Sequence, residues 1–129
     1  MKLPDHYQPL MPYLVIKGAD EFIGFLKQVF DAKEYGIYRN EDGSIMHAEI
    51  GINGGTLLIG DTGDKASSFP APLYLPTDRV DELYQRGLDA GAEGNMPPED
   101  KPYGRAAGFK DEWGNQWWLN APAELTGNG

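Results

Sequence analysis

The sequence has no cysteine and only two histidines, and both shortages restrict its chemistry. Without cysteine the chain can form neither a disulfide nor a thiolate metal site, and it cannot use a thiol as a nucleophile. Cross-linked folds, sulfur-ligated metals and cysteine catalysis are therefore excluded.

Long apolar runs are missing as well. No segment approaches the roughly 18 consecutive apolar residues of a membrane span, and the first residues lack the apolar core of a secretory signal. We therefore expect a cytoplasmic protein that does not contact a membrane.

Basic residues are scarce relative to acidic ones. Eleven Lys and Arg residues against 20 Asp and Glu residues give a net charge of −9. Nucleic acid is not an expected partner, because phosphate binding requires a basic face. The acidity serves solubility alone, or it also raises the local concentration of cationic ligands.

Apolar and aromatic residues are present in useful numbers. The 129 residues are 40% hydrophobic and 12% aromatic, which is enough for a core without metal or disulfide staples. This composition predicts a single domain spanning residues 1–129.

The stretch from residue 102 to 122 is typical of a β-hairpin. Its arms are residues 105–111 and 115–121, and Gly114 supplies the backbone freedom of the turn. Alternation in the second arm places Trp118 on one face and Trp117 on the other, so we expect Trp117 in the core.

Apolar periodicity predicts the remaining elements. Residues 19–32 and 78–91 are predicted as amphipathic helices, with Asp20 and Asp78 as N-caps. The predicted strands cover residues 8–17, 33–40, 44–53, 56–62, 71–77 and 92–96, followed by the hairpin. Asp42-Gly43 and Gly54-Gly55 are strong turn signals between them.

The order strand, helix, strand, strand, strand occurs twice, at about residues 8–62 and 71–122. An offset of 58 residues superimposes the apolar stripes of the two helices. It also pairs identical residues, namely Asp20 with Asp78, Asp31 with Asp89, Ala32 with Ala90 and Gly36 with Gly94. The chain is therefore predicted to contain two similar modules.

Four stretches of the sequence resemble the vicinal oxygen chelate superfamily of glyoxalases, bleomycin-resistance proteins and dioxygenases. They are PYLVIKGADEFIGFLKQVFDAKE, IMHAEIGINGGTLLIGD, LYLPTDRVDELYQRGLDAGA and YGRAAGFKDEWGNQWWLNAP. Their order and spacing look most similar to the PhnB-like branch. The resemblance implies an α+β fold in which two βαβββ modules form a curved mixed sheet around a cleft, with helices on the convex face.

Alternation assigns faces to the strands of this implied fold. Met46, Ala48 and Ile50 are predicted to pack under a helix, whereas His47 and Glu49 point into the cleft. These two residues could form an acid/base pair. They could also simply line a solvated face or make cross-strand hydrogen bonds.

The resemblance also implies where metal-dependent relatives hold a divalent cation. The four aligned positions are Met11, Ile59, Pro72 and Trp118, and none of them is a suitable ligand. We therefore expect neither a metal nor another cofactor.

The remaining site candidates are predicted to line the cleft. Aromatic walls for a planar or cationic ligand are expected from Tyr13, Tyr74 and Trp118, with Tyr103 or Trp113 as further candidates. These rings could instead fill a core or an interface. Ile59 is a further ligand-binding candidate. Arg105 could clamp an anion or form an ordinary salt bridge. Asp61 could charge the cleft mouth or cap a turn.

Three functions are open on this evidence. The first is a metal-free binding protein of the bleomycin-resistance type, holding a small aromatic or cationic molecule. The second is a metal-dependent glyoxalase-type lyase, isomerase or dioxygenase, and the third is a metal-free enzyme using His47 and Glu49. The resemblance further implies a homodimer, and an isologous contact would cover exposed sheet edges.

Overall fold

Two βαβββ modules follow one another along the chain, as the repeat predicts. The computed structural model describes residues 1–63 and 69–123. The chain divides into two units, Met1–Pro70 and Ala71–Gly129, with one module in each. The predicted α+β fold with two modules is confirmed.

The first unit contains one helix and one mixed four-stranded sheet. Its elements are β1 (Tyr13–Ile16), α1 (Ala19–Phe30), β2 (Lys33–Arg39), β3 (Ile45–Ile52) and β4 (Gly55–Asp61). The strand order is β1-β4-β3-β2, with β1 parallel to β4 and the other pairs antiparallel. Strand β1 begins later than the predicted residue 8, and the segment before it makes side-chain contacts instead.

The second unit repeats this topology. Its elements are β5 (Pro72–Pro76), α2 (Val80–Asp89), β6 (Glu93–Lys101), β7 (Gly104–Lys110) and β8 (Gln116–Pro122). The strand order is β5-β8-β7-β6, with β5 parallel to β8. The register pairs Tyr74 with Trp118, so these two side chains lie on the same face of the sheet.

The core of the first unit lies between α1 and one face of its sheet. Phe22, Leu26 and Val29 of the helix are fully buried, as the spacing of the apolar residues predicts. The sheet contributes Leu14, Ile16, Ala48, Ile50 and Ile59, which are at most 1% exposed. Burial of each large side chain stabilises the fold by about 1.5 to 3 kcal/mol, and the opposite face of the sheet is left for polar and aromatic residues.

The prediction that Asp20 and Asp78 cap the helices is wrong. The N-cap of α1 is Gly18, which has a positive φ of 81°, and the side chain of Asp61 accepts a hydrogen bond from the amide of Ala19 at 2.9 Å. Asp61 thus caps the helix from the end of β4. Asp20 instead pairs with Arg39.

The N-cap of α2 is Arg79, one residue later than predicted. Its side chain makes no capping hydrogen bond, and the hydroxyl of Thr77 accepts from the Arg79 amide at 3.0 Å. Thr77, and not Asp78, therefore provides the side-chain acceptor at the start of α2.

The turn between β3 and β4 is shifted by one residue from the prediction. Asn53 and Gly54 form the two-residue connection, and both have positive φ values, 53° and 83°. Two consecutive positive φ angles are the mark of a type I′ hairpin turn, which explains the Asn-Gly pair. Gly114 also has a positive φ, 88°, as predicted for the last hairpin.

A register shift in β3 changes the side of Met46. Ile45 is fully buried, whereas Met46 is 56% exposed, so Met46 does not pack under the helix as predicted. The register of β2 with β3 shifts between Tyr38 and Arg39, because Tyr38 pairs with His47 and Arg39 pairs with Ile45. Met46 is the extra residue of a β-bulge and has no partner on β2. Alternation resumes with His47, and Ala48 and Ile50 are buried as predicted.

Strand β6 is longer than the sequence predicts, because it continues through Pro97 and Pro98. Proline lacks the backbone N–H that a central strand needs, so Pro97 and Pro98 predict a loop at this position. In the structure β6 is an edge strand, and its register with β7 shifts between Met96 and Glu99. An edge position and a bulge are the places where a sheet tolerates proline.

The predicted faces of the last hairpin are confirmed for both indoles. Trp117 is 2% exposed, and its ring N–H donates to the Asp111 carboxylate at 2.9 Å. Trp118, the next residue, is 39% exposed on the opposite face.

Among residues 1–63 and 69–123, no helix has the length and apolar character needed to cross a membrane.

Candidate functional site

A buried carboxylate lies on the face of the first sheet that α1 does not cover. Glu49 is 8% exposed, and its two oxygens accept three hydrogen bonds. Oε1 accepts from His6 Nε2 at 2.6 Å, while Oε2 accepts from the Tyr7 hydroxyl at 2.5 Å and from His47 Nε2 at 2.9 Å. These contacts provide the partners that a buried charge requires.

The hydrogen bonds hold Glu49 in its ionised form. Burial alone raises the pKa of the carboxyl, but the donors Tyr7, His6 and His47 together outweigh burial and lower the pKa to about 2. The same contact raises the pKa of the Tyr7 hydroxyl, because its proton is held by the carboxylate. Glu49 is therefore a permanent acceptor at neutral pH.

Aromatic rings surround the two histidines. His6 stacks on Tyr35 with ring centroids 4.2 Å apart, and the His47 ring lies 6.1 Å from Tyr13 and 5.9 Å from Tyr38. Tyr13 and Tyr38 are more than half exposed. This polar and aromatic group is called the Glu49 cluster below, and it comprises His6, Tyr7, Tyr13, Tyr35, Tyr38, His47 and Glu49.

The second unit has an aromatic cavity of about 360 Å³. Its walls are mostly apolar, with a polar edge at Asn120. The lining residues are Tyr74, Met96, Tyr103, Ala106, Ala107, Trp118, Leu119 and Asn120. The hydroxyl of Tyr74 donates to the side-chain oxygen of Asn120, and this bond fixes the orientation of one aromatic wall.

The structure brings the predicted site residues together in two groups. Tyr13, His47 and Glu49 belong to the Glu49 cluster of the first unit. Tyr74, Tyr103 and Trp118 line the cavity of the second unit. Ile59, Asp61 and Arg105 belong to neither group.

Ile59 and Asp61 have structural roles instead. Ile59 pairs with Leu14 and Ala48 and is fully buried on the face toward α1. The prediction that Ile59 lines a binding surface is therefore wrong. The Asp61 carboxylate accepts from the amides of Ala19 and Gly63 at 2.9 and 2.7 Å. Of the two roles considered for Asp61, capping is the one that its contacts show.

Arg105 forms a salt-bridge network rather than part of the aromatic cavity. Its guanidinium donates from Nε and Nη2 to both oxygens of Asp81, at 2.7 and 2.8 Å, and from Nη1 to Asp100 at 3.1 Å. These contacts raise the pKa of the Arg105 guanidinium. Because Asp81 occupies the bidentate fork, Arg105 forms the ordinary salt bridge that the sequence left open.

Several cluster residues were missed from the sequence. His6 and Tyr7 precede β1 in a segment without periodicity, so no pattern assigned them to a face. Tyr35 and Tyr38 lie on β2, where two register shifts interrupt simple alternation. The available signal was composition, since four tyrosines and both histidines fall within the first 47 residues.

The residues do not fit the divalent-metal site of metal-dependent relatives. Of the four aligned positions, Ile59 is in the core, and Met11, Pro72 and Trp118 offer no carboxylate or imidazole. In the part of the chain that the structure describes, no group of three or more His, Cys, Asp or Glu residues is arranged to hold a metal ion. In the Glu49 cluster the facing imidazole nitrogens are engaged with the carboxylate itself.

Sequence and structure comparisons agree on the relatives of this chain. A profile of the Glyoxalase/Bleomycin resistance protein/Dioxygenase superfamily matches residues 4–119. An uncharacterised protein of Mycobacterium bovis is 33% identical over 125 residues, covering 88% of this chain and 82% of the relative.

Solved structures show the same fold. TioX from Micromonospora sp. ML1 superimposes with a TM-score of 0.75 and 24% identity, covering 90% of this chain and 99% of TioX. A PhnB protein from Bacillus cereus has a TM-score of 0.66 and 20% identity, covering 88% and 98% of the two chains. The chain therefore belongs to the Glyoxalase/Bleomycin resistance protein/Dioxygenase superfamily, also called the vicinal oxygen chelate superfamily, as its sequence motifs predict.

Proposed function

We propose that this protein binds a small aromatic or cationic molecule without a metal ion, and that Trp118 is its main ligand contact. One observation carries the proposal. Trp118 leaves 39% of its surface exposed beside Tyr74 and Tyr103 in a cavity, although its neighbour Trp117 is almost fully buried. An exposed indole in an apolar concavity is typical of a binding surface.

The size and walls of the cavity favour a planar ligand. Small-molecule sites usually measure about 300 to 1,000 Å³ and combine apolar walls with a few polar groups. The cavity of about 360 Å³ fits the lower end of that range, and Tyr74, Tyr103 and Asn120 contribute polar side-chain groups to its lining. A ligand with one or two aromatic rings matches this volume.

Charge favours a cation. The chain carries a net charge of −9, which raises the concentration of cations near its surface. Tryptophan and tyrosine faces also attract cations, by about 0.5 to 2 kcal/mol. Bleomycin resistance is one of the functions named in the family, and a binding role of that kind needs no metal ligand.

The test compares two probes of similar shape. We expect N-methylquinolinium to quench tryptophan fluorescence more strongly than quinoline, its uncharged parent at neutral pH. The difference should decrease between about 0.02 and 0.5 M salt, because the Debye length shrinks several-fold. Equal binding of both probes, or salt-independent binding, would remove the electrostatic part of the proposal.

Variants test the assigned surface by calorimetry. We expect Trp118→Ala to weaken binding of N-methylquinolinium about twofold to thirtyfold, in line with the loss of one cation–π contact. Leu10→Ala is the matched control, since Leu10 is 88% exposed and does not line the cavity. An unchanged affinity in Trp118→Ala would contradict the proposal.

A metal-free enzyme is the second candidate. The observation that favours it is the 2.9 Å contact between His47 Nε2 and Glu49, which matches the base and orienting group of acid/base catalysis. Screening of substrates should then reveal a turnover that His47→Ala and Glu49→Gln both abolish. A protein that only binds ligands would lose affinity at most.

The proposal includes a cytoplasmic homodimer. Each sheet ends in two edge strands, and an isologous contact can cover such edges with a single self-complementary patch. We expect light scattering to give twice the chain mass of 14.2 kDa. A monomer at all concentrations would contradict this part of the proposal.

A further inference from the structure

A short segment before β1 is bound along the first sheet by hydrogen bonds. This segment, Pro4–Gln8, is called the N-terminal strap. The Thr56 hydroxyl donates to the carbonyl oxygen of His6 at 2.5 Å. The Gln8 side chain pairs with both backbone groups of Thr56, at 3.0 and 2.9 Å. The backbone of the strap is therefore fixed beside the start of β4.

The strap delivers two side chains to Glu49. His6 reaches one carboxylate oxygen and Tyr7 reaches the other, so the strap contacts both oxygens of a group that is almost fully buried. Stacking of His6 on Tyr35 holds the imidazole in that position. The position of the carboxylate thus depends on residues more than forty positions away in sequence.

The ionised carboxylate determines the tautomer of His47. A carboxylate only accepts hydrogen bonds, so the Nε2 atom that contacts it must carry the hydrogen. In a neutral imidazole the other nitrogen, Nδ1, then carries a lone pair and is an acceptor. His47 has 29% of its side chain exposed, and its ring centroid lies 6.1 Å from that of Tyr13 and 5.9 Å from that of Tyr38.

We propose that His47 Nδ1 is a binding site for an O–H or N–H group on a planar ligand, and that His6 and Tyr7 are positioning residues that maintain it through Glu49. The flanking tyrosine rings supply contacts for the planar body of the ligand. The site lies wholly in the first unit and does not depend on the Trp118 cavity. Failure of this inference and failure of the proposed function are therefore distinguishable.

Two spectroscopic measurements test the site. Long-range ¹H–¹⁵N spectra, recorded at a pH where imidazole is neutral, should show hydrogen on Nε2 of His47. Phenol should then shift the Nδ1 resonance, whereas anisole, which has the same ring without a donor, should not. A hydrogen on Nδ1, equal shifts from both probes, or a shift from neither would overturn the inference.

Variants of the strap test the positioning role. His6→Phe keeps an aromatic ring against Tyr35 but removes one donor to Glu49, and Tyr7→Phe removes only a hydroxyl. Each should produce a mixture of His47 tautomers and weaken phenol binding about twofold to tenfold, the range expected for one hydrogen bond. Tyr84→Phe, on α2 of the second unit and outside both groups of site residues, is the control and should change neither quantity at His47. Unchanged tautomer and affinity in both strap variants would show that His6 and Tyr7 have no positioning role.

Discussion

The hydroxyl of Tyr13 lies 2.5 Å from the place where a Cβ atom on Gly60 would stand. The ring can therefore lie flat on the sheet only because residue 60 has no side chain. Tyr35 has the same relationship with Gly51, at 2.6 Å, and the Trp118 ring lies over Gly108 at 2.8 Å. Glycine thus provides the space for aromatic rings on the sheet face of both units.

This relationship predicts the effect of Gly108→Ala. The new methyl group would collide with the Trp118 ring, so we expect the indole to move toward solvent and its fluorescence emission to shift to longer wavelength. Binding of N-methylquinolinium should weaken as the wall of the cavity is displaced. Gly36→Ala is the control, since the nearest ring atom lies at an ordinary contact distance of 3.6 Å. An unchanged emission maximum in Gly108→Ala would contradict the expectation.

The two neighbouring tryptophans should differ in their contribution to stability. Trp117→Ala removes a buried indole and its bond to Asp111, so we expect a loss of about 3 to 5 kcal/mol in the free energy of unfolding. Trp118→Ala should cost much less, because 39% of that side chain is already in water. Urea denaturation of both variants checks the order, and similar losses would contradict it.

Glu49 should make stability depend on acid pH. Its pKa is about 2 in the folded protein and near 4.5 ordinarily, so its contribution is present above pH 4.5 and is lost as pH falls toward 2. The difference corresponds to about 3 kcal/mol. The groups that face the carboxylate are His6, Tyr7 and His47.

Urea unfolding of the protein and of Glu49→Gln, measured from about pH 5 to pH 2, isolates this contribution. The variant keeps both histidines, so the effects of other titrating groups largely cancel in the comparison. We expect the stability advantage of the original protein over the variant to shrink with falling pH. A constant difference across this range would show that Glu49 does not titrate as described.

Elemental analysis tests the absence of the metal site. The side chains at Met11, Ile59, Pro72 and Trp118 provide no set of hard donors, so we expect protein purified without chelator to hold well below one divalent ion per chain. Addition of zinc, nickel or manganese should leave the thermal midpoint unchanged, because a bound ion would stabilise the folded state. A stoichiometric ion would contradict this expectation.

Much of the fold could be predicted because its signals are local. Glycines at turns, the apolar stripe of α1 and the alternation around Trp117 are set by neighbouring residues. The predictions were wrong where a feature depends on residues that are distant in sequence. Asp61 caps α1 from the far end of the module, and no pattern near residue 20 could show this. The exposure of Met46 depends likewise on a register shift against another strand.

Only the part of the candidate site that depends on local sequence patterns could be predicted. His47 and Glu49 follow from alternation along one strand, and Trp118 follows from its buried neighbour. His6 and Tyr7 reach Glu49 only after the strap binds to Thr56, a contact between residues that are 50 positions apart. Sequence periodicity carries no information about such a contact.

The parallel pairing of the first and last strands in each unit has a consequence for the order of folding. The antiparallel pairs β2–β3, β3–β4, β6–β7 and β7–β8 join strands that are consecutive in sequence, so each requires the closure of only a short loop. Pairing of β1 with β4, or β5 with β8, must close a loop containing nearly the whole module. The three-stranded meander can therefore assemble early, and the parallel strand joins it late. His6 and Tyr7 precede β1 in the chain, so we expect Glu49 to acquire these two donors only when β1 has paired with β4.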